Sequence, residues 1–313
     1  MSSSFAAVEH ALHAAEEGQE RTSATAVSLP TNFEWFFVIT GGAALFLPFL
    51  FWMGEAGLTR RDSIHWYFWI GTLISSPHVY ATFVRQYRKT REGKVSIWMG
   101  PPAYAAAVGL LALGSYLGYY VEVMTAINVW QSFHYVRQTY GVGCLYGRQA
   151  KFDETDRRLR WWAYHLVFPL LIVGRWDMLY DAWGGKTNSL IPVDCGSNVM
   201  GPLWLVAYAG IYTAIMAEAR LIWKNGWKYQ PTGAICFLAF LAIHIYGFLI
   251  LSHFQRGFFA VTIFHAMQYL ALVWVMERKT AVARGNRWIG RIPTLLGFVA
   301  FWGALYLMGF GYE

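Results

Sequence analysis

Runs of about twenty apolar residues, separated by short polar stretches, recur along almost the whole chain. A helix rising 1.5 Å per residue needs about 20 such residues to cross the hydrocarbon core of a bilayer. The pattern predicts nine spans, at 33–53, 64–84, 98–120, 124–146, 161–183, 201–223, 232–252, 257–276 and 292–312. Helix breakers fall between most of them: Gly54 and Gly57, Gly93, Gly184 and Gly185, Gly226 with Pro231, and Gly285. The division of 98–146 is placed near Glu122, beside Tyr119 and Tyr120. The expected fold class is an all-α, polytopic transmembrane helix bundle. Residues 1–30 read differently, rich in Ala, Ser, Thr and Glu and without the basic start and apolar core of a signal peptide. They are expected to form a mobile acidic tail ahead of a single transmembrane helical domain, 31–313.

Composition agrees with that pattern. The chain is 56% hydrophobic and only 14% charged, where soluble domains carry roughly 25% charged residues. The excess apolar surface needs lipid as its solvent. A net charge of +7 would suggest a nucleic-acid partner if the basic residues formed a stripe on a folded face. They sit instead between apolar runs, so no nucleic-acid partner is expected and the lipid bilayer is. Stretches 85–97, 147–160, 220–230 and 277–291 hold 18 of the 25 Lys and Arg, and the alternate loops hold only Arg60, Arg61, Lys186 and Arg256. By the positive-inside rule this threading puts the N-terminus inside and Glu313 outside, as a multi-pass protein of the cell inner (cytoplasmic) membrane. Cys144, Cys195 and Cys236 show no CxxC spacing, which argues against a zinc knuckle or redox pair.

No P-loop, GxSxG, HExxH or dinucleotide fingerprint is present. The unusual content is polarity within the spans. Ionisable groups in lipid are costly, face the bundle interior and commonly mark functional sites. His65, His165 and His253 fall at span ends, where hydrogen bonding at the interface accounts for them. His134 and His265 lie about twelve residues from the inner ends of their spans, roughly 18 Å deep, and His244 comes to roughly 20 Å. His78 lies at roughly 10 Å. Asn128, Gln131, His134, Tyr135 and Gln138 recur at spacings of three and four, which draws a polar stripe on one helix face. Thr262, His265 and Gln268 do the same, as do Ser75, His78 and Thr82. Neutral imidazole is a common ligand of iron, copper and zinc. The candidate metal ligands are therefore His78, His134, His244 and His265. Behind them, Asn128, Gln131 and Gln268 are candidate acceptors for the second ring N–H, and Arg137 is a candidate orienting group. Arg175, Asp177 and Asp181 suggest an ion pair between helices.

The segment Trp130-Gln131-Ser132-Phe133-His134-Tyr135-Val136-Arg137 resembles a stretch of the Brp/Blh family, and Ser76-Pro77-His78 resembles that family's early Pro-His motif. Gln131 stands where the family has a second histidine. The resemblance implies a multi-span membrane enzyme that cleaves β-carotene to retinal with a non-haem iron held by histidines, and it implies His78 and His134 as ligands.

The expected function is a membrane-embedded oxidoreductase in which His-ligated non-haem iron oxidises or cleaves a lipophilic small molecule, isoprenoid or lipid-like, with O₂. Two other readings fit the same residues. One is an electron-transfer subunit with two histidines as axial ligands of haem b. The other is non-enzymatic, a transporter or a subunit with membrane-protein complex partners.

Overall fold

The computed structural model describes residues 30–42, 76–87, 101–146, 152–182, 197–226, 231–250 and 254–310, with positions 73, 89 and 93. Most of the expected tail 1–30, the far half of the first expected span, most of the near half of the second, His65, His253 and Cys195 lie outside the described residues. Among the described residues the regular structure is entirely helical.

A π-helical turn, Glu34–Ile39, opens the described chain. Helix α1 covers 76–87, α2 Pro101–Tyr116, α3 Tyr120–Tyr146, α4 Glu154–His165, α5 Phe168–Ala182, α6 Ser197–Asn225 and α7 Pro231–Ile245. A second π-helical turn, Tyr246–Ile250, prolongs α7. Then follow α8 Phe254–Ala283, the short α9 Arg287–Arg291 and α10 Thr294–Phe310. Three stretches have the length and apolarity of membrane spans: Gly201–Asn225, Pro231–Ile250 and Ala260–Ala283. Ala105–Tyr116 and Thr294–Met308 are shorter apolar helices. The chain is thus a helical bundle with membrane-spanning helices.

Two boundaries differ from the sequence-based expectation, each for a local reason. The break within 98–146 falls at Gly118, not near Glu122, because the turn needs a residue at φ +91° and only glycine adopts that freely. The expected span 161–183 divides at Leu166–Val167 into α4 and α5. Pro169 lacks the N–H that a continuous helix would bond to residue 165, and it disfavours helical backbone just before it. Asp153 then marks the start of α4 by accepting the Asp156 N–H at 2.8 Å. A hydrogen bond from Lys224 holds the Asp153 carboxyl below the usual carboxylate range.

Helices α3, α7 and α8 form the centre. Helix α3 packs along α7, while α8 packs on both π-helical turns and on α5, α7 and α10. Helices α4 and α5 both lie along α6. Phe237, Phe240, Phe264, Leu170 and Leu171 are wholly buried between them. The outer faces are strongly apolar, with Leu110 on α2, Leu205 on α6 and Leu307 on α10 each about 70% exposed, as a lipid-facing surface requires.

Polar groups tie the bundle at few points. Glu34 accepts from the Tyr146 hydroxyl at 3.0 Å and approaches Lys279 Nζ at 3.4 Å, joining the first turn to α3 and α8. Gln268 of α8 donates to the Val38 carbonyl at 2.9 Å and accepts from Thr139 at 3.2 Å. Arg160 of α4 and Glu218 of α6 form an ion pair at 3.1 Å with side chains only 2% and 3% exposed. Arg160 also reaches the Gly143 carbonyl and lies 4.6 Å from the Phe152 ring centroid.

Removing one member of so buried a pair strands the other charge, at a cost of about 3–5 kcal/mol. Glu218→Leu should therefore lower the thermal midpoint of detergent-solubilised protein sharply. Adding Arg160→Met to it should recover much of the loss; two additive losses would argue against a coupled pair.

Candidate metal centre

Three helices each carry one histidine to a common point: His78 on α1, His134 on α3 and His265 on α8. Their ring nitrogens, one from each, all lie within 4.8 Å of one another. Ring centroids are 4.9 Å apart for His78–His265 and His134–His265, and 6.4 Å for His78–His134, with planes inclined by 60–72°. One nitrogen of each ring therefore lies close enough to the other two to share a ligand. An ion about 2.1 Å from each nitrogen would draw them to roughly 3–3.5 Å apart, a contraction within reach of side-chain rotation.

The hydrogen bonding of these rings gives the stronger argument. His265 is 4% exposed, and neither its Nδ1 nor its Nε2 has a hydrogen-bond partner; His78 Nδ1 is likewise buried and unpartnered. Buried polar atoms are almost always satisfied, and those that are not call for an ion, a water or a functional reason. An imidazole with one nitrogen unmatched is a modest cost; one with both unmatched, beside two more imidazoles, suits a cation.

Aromatic rings wall the cluster. Tyr135 lies 4.1 Å from His265, Tyr269 lies 4.6 Å from His78, and Trp130 stacks on His134 at 5.2 Å with planes 9° apart. A polar chain backs the Tyr135 wall. Arg175, 1% exposed, donates to Gln131 Oε1 and the Asn128 carbonyl, both at 3.1 Å. Gln131 Nε2 donates to the Tyr135 hydroxyl at 2.9 Å, and that hydroxyl pairs with Thr262 Oγ1 at 3.1 Å. Gln138 Nε2 donates to the His265 carbonyl at 2.8 Å, pinning α8 to α3 one side chain away from the cluster.

Of the four histidines expected as ligands, His244 does not join the converging three. Its Nδ1 lies 2.6 Å from the Phe240 carbonyl of its own helix, and its Nε2 is buried without a partner. Gln131, Gln268 and Asn128 all lie in the bundle, but their amides are engaged elsewhere: Gln131 with Tyr135 and Arg175, Gln268 with Thr139 and Val38, and Asn128 Nδ2 with the Met124 carbonyl at 2.9 Å. Arg137 is exposed, 5.9 Å from the Tyr140 ring centroid. The side chains of Asp177 and Asp181 lie outside the described residues, and Arg175 reaches Gln131 and Asn128. Sequence reasoning gave Tyr135, Tyr269, Trp130 and Gln138 no role at the cluster. Tyr135 and Gln138 stood on the polar stripe of α3, so their spacing was a usable signal. Nothing in the spacing distinguishes Tyr269 or Trp130 from ordinary core and belt aromatics.

Because Tyr135 joins the Arg175–Gln131 arm to the ring face of His265, Tyr135→Phe should weaken Co²⁺ binding about tenfold or more, read from the ligand-field absorption of titrated protein. Unchanged affinity would mean that the chain of bonds holds helices but does not position the ligand. Comparisons with protein-family models, with curated proteins and with solved structures gave no match to this chain.

Proposed function

We propose that this chain is a nine-span protein of the cytoplasmic membrane, N-terminus inside, that binds one non-haem iron through His78, His134 and His265 and oxidises a lipophilic substrate with O₂. The observation that carries the reading is the convergence of three imidazoles from three helices, with both nitrogens of His265 buried and unmatched. Three neutral imidazoles on one side of an ion leave other coordination positions open, as catalytic sites require and closed structural sites do not. Imidazole ligation suits iron, and also copper, zinc and nickel. The resemblance of the 130–137 segment to the Brp/Blh family points to iron and to an isoprenoid-like substrate.

Bound there, iron would supply O₂ activation. Cleavage of a carbon–carbon double bond by O₂ distributes both oxygen atoms between two carbonyl products, so no external reductant is needed. The chain's own contribution is positional. The rings of Tyr135, Tyr269 and Trp130 line the cluster, and His134, half-buried beside the exposed Trp130 and Phe133, opens it sideways. A lipophilic substrate would then arrive from the bilayer. Haem b suits the geometry less well. Two axial rings must face each other across a flat macrocycle, whereas here the third imidazole sits within 4.8 Å of both others.

Elemental analysis of purified protein should find about one iron per chain, with no Soret band. His134→Ala and His265→Ala should lose that metal, while His244→Ala should keep it. A Soret band, or metal-free protein that still consumes O₂ with substrate, would end this reading.

A further inference from the structure

Arg175 carries a full charge into the bundle, and its bonds to α3 do not require one. It stands on α5 and is 1% exposed. Gly174 beside it lets α5 close on the second π-helical turn, since a Cβ there would lie 2.7 Å from that of Phe248. Arg175 Nη1 donates at 3.1 Å both to Gln131 Oε1 and to the Asn128 carbonyl. Both acceptors are neutral, and an uncharged donor of the same reach would tie α5 to α3 as well. Keeping a guanidinium in that position is costly. The question is what else the charge acts on.

The neighbouring rings supply the answer. The guanidinium carbon lies 5.1 Å from the Tyr135 ring centroid, which is itself 4.1 Å from that of His265. The field of Arg175 reaches His265 and His244 alike. Laid end to end, these spacings put the charge at most roughly 12 Å from an ion held by His265. Across that distance, at an effective dielectric constant of about 20, a unit charge shifts the balance between two states one charge apart about tenfold. Among the described residues no carboxylate or thiol stands with His78, His134 and His265. Three neutral imidazoles offset none of an ion's charge, and the guanidinium adds to it.

We propose that Arg175 sets the redox poise of the centre and holds a bound iron in its ferrous form. This deepens the metal reading above and rests on it. A nearby positive charge penalises the more highly charged ion more strongly, so the midpoint potential rises. Ferrous iron with open positions is the oxygen-reactive form in non-haem oxygenases, and the guanidinium favours that starting state. The same field tightens the hold of the open positions on a small anion. Arg175 touches neither ion nor substrate and acts through its field alone.

The test is a redox titration of the iron-loaded, full-length protein in nanodiscs, with the ferric form read by electron paramagnetic resonance. Arg175→Gln should lower the midpoint potential by about 59 mV, the one-electron equivalent of a tenfold shift. Arg175→Lys keeps the charge but loses the fork of donors, and should stay near the wild-type potential. Gln131→Glu leaves Arg175 in place and neutralises it, and should lower the potential by a similar amount. Azide affinity of the ferric form should fall about tenfold in the two variants that remove net charge, and hold in Arg175→Lys. A potential unmoved in Gln131→Glu, or lowered equally in Arg175→Lys, would overturn the proposal and leave Arg175 as a tie between helices. Wild-type protein that carries no iron would instead remove the metal reading, and the proposal with it.

Discussion

In a helical bundle within lipid, a polar atom that finds no partner in the protein finds none at all. That constraint orders the interior of this chain. Glu34 is shared by Tyr146 and Lys279, Arg160 meets Glu218, Gln268 joins the first turn to α3, and Ser132 and Thr139 bond carbonyls one turn back on α3. Other buried polar atoms also lack a partner, Tyr164 Oη, Glu218 Oε2 and His244 Nε2 among them. Among the described histidines, however, His265 is the one with both ring nitrogens buried and unmatched, beside the unmatched Nδ1 of His78. The metal reading depends on that contrast more than on the distances.

The rest of the centre follows from how three helices are held. Gln138 fixes α8 to α3 through the His265 carbonyl, so the two histidines keep their separation even with no direct bond between them. The chain Arg175–Gln131–Tyr135–Thr262 does the same from the opposite side and brings α5 into register. Arg175 thereby brings positive charge into the interior close to a ring that a metal would also charge. The Tyr135 ring, 5.1 Å from the Arg175 guanidinium carbon and set between it and His265, takes part of that field.

Much of this was legible in the sequence, and the failures have geometric causes. Spans 201–223, 232–252 and 257–276 coincide closely with the three span-like helices, because long uninterrupted apolar runs leave little choice. Residues 161–183 read as one span because hydropathy averages over the break before Pro169. His134 and His265 were placed at one depth by counting residues, and their rings do meet. His244 was placed at that depth too, but counting gives height and not azimuth, and its ring turns back to the Phe240 carbonyl. His78 was counted a turn or two away, yet its ring lies against His265 and Tyr269 because a side chain reaches across about one turn. Glutamines and Asn128 were assigned to imidazole N–H groups by nearness along the helix. In the fold Gln131 and Asn128 serve Tyr135 and the Met124 carbonyl one turn away on α3, and helix packing adds Arg175 for Gln131 and Thr139 and the Val38 carbonyl for Gln268.

X-ray absorption at the iron edge of the purified protein addresses the central claim most directly, because it reads the donor atoms of the ion in place. The account predicts imidazole scattering from three nitrogens at about 2.0–2.2 Å with lighter donors completing the shell. An iron surrounded only by oxygen, or bound through a porphyrin, would contradict it.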